Sequence, residues 1–393
     1  MSAAVRIARA THHDRIELAL EYPASWYAPV NPRARRTEQR ALEWLVERGV
    51  VGDEIGRKTF AKLDVGRYGG SPFPFAGDRE SDLITRFLSL WIFYDDLLEE
   101  RDDGLETSLE DALIGRSETR PQGSVHLECW WELGRVTAAA MSPSWTARHA
   151  RRFAEWARSV RPENLVATAL RERGVMPPSA DHLARRSINI GVLPTLDFLE
   201  YQQGWELHDA LLEDADVQAL TLATSELIAI VNDLFGFTKD QRARWCNIVS
   251  CVAPERGVSI ADAFCVVVAM HDERVARIRA CEARVLATHH ASSELAEWLH
   301  GLHVMCSGFT RWHAGAPRYS ALHTLDDGGS VHLRVRTLMH QALEHPWMPR
   351  DPARPAPGHG PIESSTSDQK CQQAAPGSLG TQSIVSPGYS EAI

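Results

Sequence analysis

The chain is short of positive charge, of paired cysteines and of long apolar runs. Its 42 Lys and Arg face 52 Asp and Glu, a net charge of −10. That balance argues against bulk nucleic-acid binding, which needs a basic face, and no nucleic-acid partner is expected. Seven Cys, an odd number, are scattered singly at 129, 246, 251, 265, 281, 306 and 371, and no CxxC occurs. That pattern argues against a disulfide framework and fits reduced residues packed as small hydrophobes in a cytoplasmic protein. The longest uncharged apolar stretches, such as 263–270, fall well short of the ~20 residues that span a bilayer, so no membrane span is expected. The N-terminus carries charges throughout and has no apolar core, so no secretory signal is expected there. Strand alternation, hairpin turns and internal repeats are scarce too.

What is present reads as helix. The 393 residues suit two domains or one large one, and 44% apolar residues suffice for a sizeable core. From 346 to 393, Pro, Gly, Ser and Gln dominate and periodicity vanishes, which predicts a disordered tail. Residues 1–20 are weakly patterned. The body, 21–345, offers no linker that would divide it. Within it Leu83, Ile84, Phe87, Leu88, Trp91 and Tyr94 follow an i, i+3/i+4 stripe. Residues 225–241 and 262–290 follow the same rule, with Gly- and Pro-rich turns between the runs. The expected fold class is all-α in a single domain.

Two polar clusters interrupt the apolar stripes. Residues 95–103 hold six acids and one base, half of the net charge, at the end of an apolar helix entered through Trp91-Ile92-Phe93-Tyr94. Asp95 and Glu99 share a helix face, repel one another and oppose the macrodipole, and a cation would relieve both costs. Mg²⁺ takes carboxylate oxygens and shares its other positions with water and phosphate. Asp96 points about 100° from Asp95 and reads either as a further ligand or as a support for one. The alternative for the whole cluster is a solvated helix end. In the second run, 232–240, Asn232, Gly236 and Asp240 stack along one face at i, i+4 and i+8. Two oxygen ligands then flank a gap that a water could fill. A mid-helix Gly costs roughly 1 kcal/mol against Ala, which favours a site over a plain solvent-facing stripe.

Together these segments resemble the bacterial class I terpene synthases (terpene cyclases). Asp95-Asp96-Leu97-Leu98-Glu99 matches the family's DDxx(D/E) motif. Residues 232–240, Asn-Asp-Leu-Phe-Gly-Phe-Thr-Lys-Asp, match its ND(L/I/V)xSxxKE motif with two departures: Gly236 for Ser and Asp240 for Glu. The family's diphosphate-sensing Arg, 46 positions before the Asn, falls on Arg186, and Asn189 and Ile190 take its "linker" and "effector" places beside Gly191. Its Arg-Tyr pair matches Arg318-Tyr319, with Trp312 six residues earlier. Four motifs in this order, across 21–345, imply the single-domain class I terpenoid synthase fold: a helical bundle around an apolar cavity.

The resemblance further implies three Mg²⁺ ions held by Asp95, Asp96, Glu99, Asn232 and Asp240. It implies an isoprenyl diphosphate gripped by Arg186, Lys239, Arg318 and Tyr319, with Asn189 and Ile190 beside it. The family often forms homodimers, so a second copy of the chain is one expected partner. Trp91, Phe93 and Trp312 are candidate walls, where an aromatic face near a cation is worth about 0.5–2 kcal/mol. Taken singly, each also has a plainer reading: those three as core, Lys239 as a surface lysine, Tyr319 as a packed tyrosine, Arg186 as a helix cap. The reaction implied is cyclisation of farnesyl diphosphate to a sesquiterpene or its alcohol. Geranyl and geranylgeranyl diphosphate are alternatives. A prenyl-elongating synthase would show a second DDxxD where Asn232-Asp233 stands. An HD-type phosphohydrolase finds support only in His208-Asp209 and His271-Asp272. A degenerate helical binding protein is the remaining alternative, given Gly236 and Asp240.

Overall fold

A computed structural model of the protein describes residues 15–100, 105–114, 119–289 and 292–338, without the side chains of Asp96, Glu99, Glu100, 105–107 and Leu338. The expected tail from 346 lies outside the described residues. The described residues open with β1 (Arg15–Pro23), followed by the helices α1 (Ala34–Glu47), α2 (Glu54–Leu63), α3 (Val65–Gly70) and α4 (Asp78–Glu100). Next come α5 (Leu105–Ile114), α6 (Val125–Ala140), α7 (Pro143–Arg173), α8 (Ser179–Asn189), α9 (Val192–Leu196), α10 (Phe198–Tyr201) and α11 (Asp209–Leu212). Then come α12 (Ala215–Ala243), α13 (Ile248–Arg256), α14 (Ile260–Thr288) and α15 (Ser293–Gly315), and β2 (Leu322–Thr324) and β3 (Ser330–Leu338) follow.

Side-chain caps set where the long helices begin. Ser142, Asp214, Ser259 and Ser292 each accept a hydrogen bond from a backbone N–H in the first turn of α7, α12, α14 and α15. Such a cap is worth about 1 kcal/mol. Burial then sorts the helices. From Leu227 to Phe237, α12 is buried at every position except Asn232, so it runs through the middle of the bundle, with α8, α13, α14 and α15 packed on it. Among the described residues it alone is long and apolar enough to cross a membrane, and 78% of that stretch is buried inside the protein. α4 packs on α1, α3, α6 and α7 and carries Asp95 near its C-terminal end. The helical body expected from periodicity is thus present, and the site lies where α4, α8, α12 and α15 meet.

The ends of the body add a small sheet that the sequence reading lacked. β3 is the centre strand, parallel to β1 over nine residues and antiparallel to β2 over three. The expected boundary at residue 21 therefore falls inside a strand. In β1 the inward side chains are Ile16, Leu18, Leu20 and Tyr22, the period-2 pattern of a half-buried strand. Tyr22 Oη lies 2.5 Å from Thr310 Oγ1 and 2.9 Å from His271 Nε2, which ties the strand to α15 and α14. That bond, with Asp272 at 2.9 Å, also accounts for His271-Asp272. His208 caps α11, and Asp209 pairs with Arg148. Neither His-Asp pair forms a phosphohydrolase centre.

Candidate active site

The polar face of α12 is built around Asn232. Its Nδ2 donates to His313 Nε2 at 3.1 Å and to Tyr319 Oη at 3.2 Å, and its Oδ1 accepts from Arg186 Nη2 at 3.0 Å. Both N–H groups are occupied, and Oδ1 keeps one lone pair for a further partner. Asp233, the next residue, turns inward. Its Oδ2 accepts from His182 at 2.7 Å and from Ile248 N at 2.8 Å, and Arg186 Nε lies 3.4 Å from its Oδ1. Burial works to raise its pKa, and His182 and Arg186 overcome that, so the carboxyl stays below its ordinary value. Asp233 holds α8 and α13 to α12, and sequence reasoning assigned it no role.

Two turns on, Asp240 is buried. Lys239 Nζ lies 3.0 Å from its Oδ1, and Asn247 Nδ2 donates to its Oδ2 at 2.8 Å. The carboxylate reaches toward Gly236: a β-carbon there would sit 3.1 Å from Asp240 Oδ2. The gap left by the missing side chain is therefore bordered by the carboxylate itself. Asp240 raises the Lys239 pKa against burial and Arg318, so the ammonium stays charged.

Arg186 closes the last turn of α8 and spans the two clusters. Besides Asn232 it bonds Asn189 Oδ1 at 2.6 Å through Nη1. Burial works to lower its pKa, but Asp233, Glu163, Asp240 and Asp95 together raise it above the ordinary value. Both metal-type clusters thus act on one guanidinium. After Ile190 the helix breaks at Gly191, which has φ +74°. The Trp91 ring occupies the place a β-carbon would take there, at 2.1 Å. Trp156 Nε1 donates to Asn189 O at 2.9 Å and meets Trp91 edge-on at 4.9 Å. Trp91 and Phe93 are both buried, so Trp91 serves as core packing and as the floor beneath the break.

Asp95 is half-buried on α4, and its charge reaches Tyr68 as well as Arg186. The side chains of Asp96 and Glu99 lie outside the described residues. Tyr68, which sequence reasoning missed, stacks on Trp312 at 4.1 Å. Desolvation, with Tyr319 and Asp95, pushes its pKa up while Arg318 pulls it down, so the phenol is neutral and faces Asp95, Arg318 and Tyr319. Trp312 is buried, donates to Leu63 O at 2.9 Å and meets Tyr319 at 5.3 Å. His313, also unassigned from sequence, is buried beside it. Its pKa falls to about 3, chiefly through desolvation, with Arg186 and Arg318 adding to the effect. No pattern in the sequence separated Tyr68 or His313 from other packed aromatics and histidines.

The donor set is oxygen-rich and hard: the Asp95 and Asp240 carboxylates and the Asn232 carboxamide. That chemistry fits Mg²⁺ better than a soft metal, and the Asn232 oxygen has a lone pair to give. Among the described residues no three His, Cys, Asp or Glu side chains converge on one point. An ion here would draw its ligands from two facing helices, with water or phosphate completing the shell. Arg186, Lys239, Arg318 and the Tyr319 hydroxyl surround the same space with donors suited to a diphosphate.

The chain is similar to known proteins over most of its described length. A family model described as "Terpene synthase family 2, C-terminal metal binding" matches residues 86–277. Bonnadiene synthase of Allokutzneria albata is 27% identical over 274 residues, 65% of this chain and 74% of that protein. A (-)-beta-caryophyllene synthase of Saccharothrix espanaensis, described as (2E,6E)-farnesyl diphosphate cyclizing, is 24% identical over 247 residues, 59% of this chain and 68% of that one. The linalool/nerolidol synthase of Streptomyces clavuligerus, solved with 2-fluorogeranyl diphosphate, superposes with a TM-score of 0.65–0.66 and 18–21% identity. In that complex 77% of this chain and all of the other are covered. By this model and these relatives the chain is similar to the bacterial terpene synthases, enzymes that act as lyases on diphosphates, and it shares the fold of their solved members.

Proposed function

We propose that the protein ionises farnesyl diphosphate with the aid of Mg²⁺ and cyclises the resulting cation to a sesquiterpene or sesquiterpene alcohol, releasing diphosphate. The observation that carries this reading is Asn232, hydrogen-bonded at once to Arg186 and Tyr319 across from Asp95. Asp95, Asn232 and Asp240 hold Mg²⁺, with Asp96 and Glu99 as the further ligands expected from sequence. These residues would hold Mg²⁺ where it would supply neutralising charge to the leaving diphosphate. Arg186, Lys239, Arg318 and Tyr319 orient that diphosphate through permanently charged or neutral donors. Asn189 holds the Arg186 fork in line with it. Trp91, Phe93 and Trp312, with Ile190 at the helix break, exclude water and leave aromatic faces toward the cation.

The relative that cyclises farnesyl diphosphate supports the fifteen-carbon substrate. The neighbour with bound 2-fluorogeranyl diphosphate keeps the ten-carbon substrate as the second reading. Purified protein with Mg²⁺ and geranyl, farnesyl or geranylgeranyl diphosphate, followed by gas chromatography–mass spectrometry, tests both. A cyclic C15 product from farnesyl diphosphate is expected. Turnover confined to another chain length would correct the substrate, and no terpene from any of the three would leave the degenerate binding protein as the better account.

A further inference from the structure

We propose that His313 is a positioning residue that fixes the Asn232 carboxamide with its oxygen toward the metal. Phe309 O can only accept, so at 2.8 Å it requires the proton on His313 Nδ1. In the neutral ring Nε2 is then an acceptor, and it takes one N–H of Asn232 at 3.1 Å. Tyr319 Oη takes the other at 3.2 Å. The opposite amide orientation would set Asn232 N–H groups against Arg186 Nη2 and its oxygen against the lone pair of His313. Only one orientation satisfies every partner, and it presents Oδ1. An Asn ligand has two nearly isosteric faces, of which one cannot bind a cation, so something must choose between them. His313 chooses. Its ring is in turn held by Trp312 at 4.7 Å, Tyr319 at 4.6 Å and Phe235 at 6.4 Å.

This inference rests on the reading of Asn232 as a Mg²⁺ ligand, and the test separates the two. Calorimetric titration of wild-type protein with Mg²⁺ in the presence of inorganic diphosphate comes first, and absence of binding there overturns the metal reading together with the inference. H313F keeps the ring stack and removes the acceptor. Loss of a group that orients a ligand costs 10–100-fold in metal affinity, so H313F should weaken Mg²⁺ binding at least tenfold and raise by a similar factor the Mg²⁺ needed for half-maximal turnover. KM for the prenyl diphosphate at saturating Mg²⁺ should move less than threefold. H313Q, whose side-chain oxygen can accept from Asn232, should restore Mg²⁺ affinity to within threefold. In the N232A background H313F should change nothing further, because the group it orients is gone. Wild-type Mg²⁺ affinity in H313F overturns the proposal, as does an equal loss in the N232A background. If H313F does not fold, H313Q decides alone: affinity within threefold of wild type supports the proposal, and a tenfold loss overturns it.

Discussion

Gly191→Ala tests how the break after α8 is built. Two separate costs apply. At φ +74° an L-residue loses roughly 1–2 kcal/mol from the clash of its β-carbon with its own backbone. The new methyl would also fall 2.1 Å from Trp91 Cζ2 and 2.4 Å from Cη2, so the indole must retreat by more than about an ångström to reach van der Waals contact. Phe153 at 4.8 Å and Trp156 at 4.9 Å pin that indole edge-on, and overpacking of this kind costs about 1–3 kcal/mol. Gly191→Ala should therefore destabilise the fold by about 2–5 kcal/mol in urea denaturation. Trp91→Leu removes the far ring while keeping a buried apolar group. In that background Gly191→Ala should cost only the backbone part, about 1–2 kcal/mol, and the cycle should show about 1–3 kcal/mol of coupling between the two positions. Equal costs in both backgrounds, within about 0.5 kcal/mol, would refute the claim that Trp91 excludes a side chain here. Because Asn189 and Ile190 enter the break, the single variant should also lower product yield more than Trp91→Leu does.

Asp233→Ala should cost about 3–5 kcal/mol in urea denaturation, because it strands the buried partners His182 and Arg186; a loss under 1 kcal/mol would contradict its role as the tie between helices. Gly236→Ser brings a β-carbon to within 3.1 Å of Asp240 Oδ2 and should raise the Mg²⁺ concentration for half-maximal binding with inorganic diphosphate, whereas unchanged or tighter binding would mean the gap has no structural purpose. His323 joins β2 to Thr238 of α12 at 2.8 Å, and desolvation lowers its pKa from 6.5 to about 4. The unfolded chain binds the proton first, so the stability His323 confers is complete above pH 6.5 and fades as pH falls toward 4, by about 2 kcal/mol at pH 5; melting curves of His323→Phe should lose that part of the acid sensitivity.

The features legible in sequence are those whose spacing is set by a single helix or repeated by the family's motifs. Asn232 and Asp240 share a face of α12 because eight residues make just over two turns, and Arg186, 46 positions upstream, does bond Asn232 directly. Other features depend on what meets in space. β1 is a nine-residue alternation whose partner lies more than 300 residues away, and local pattern holds no trace of that pairing. Asp233 differs from Asn232 by one step and points about 100° away, so the string could not say that it faces α8 and α13 while its neighbour faces the site. Tyr68 and His313 are one aromatic and one imidazole among many. Only the column that runs from Tyr68 through Trp312 to His313 and Tyr319 distinguishes them.

The two departures from the family's second motif read, in sequence, as two losses: a missing hydroxyl and a shortened acid. In the fold they meet. The place where a side chain at 236 would begin is already in contact with Asp240 Oδ2, the same oxygen that Asn247 holds at 2.8 Å. A larger residue at 236 would press on that oxygen, and a longer acid at 240 would have to leave Asn247 or Lys239. Gly236 and Asp240 are therefore mutually consistent, one arrangement rather than two defects. Burying a carboxylate costs several kcal/mol unless it is paired, and here Lys239 and Asn247 supply the pairing. A chain that had lost its chemistry would gain stability by replacing Asp240 with an apolar residue of similar size. The buried acid, with two partners arranged around it and a glycine making room beside it, fits the ligand role proposed for Asp240.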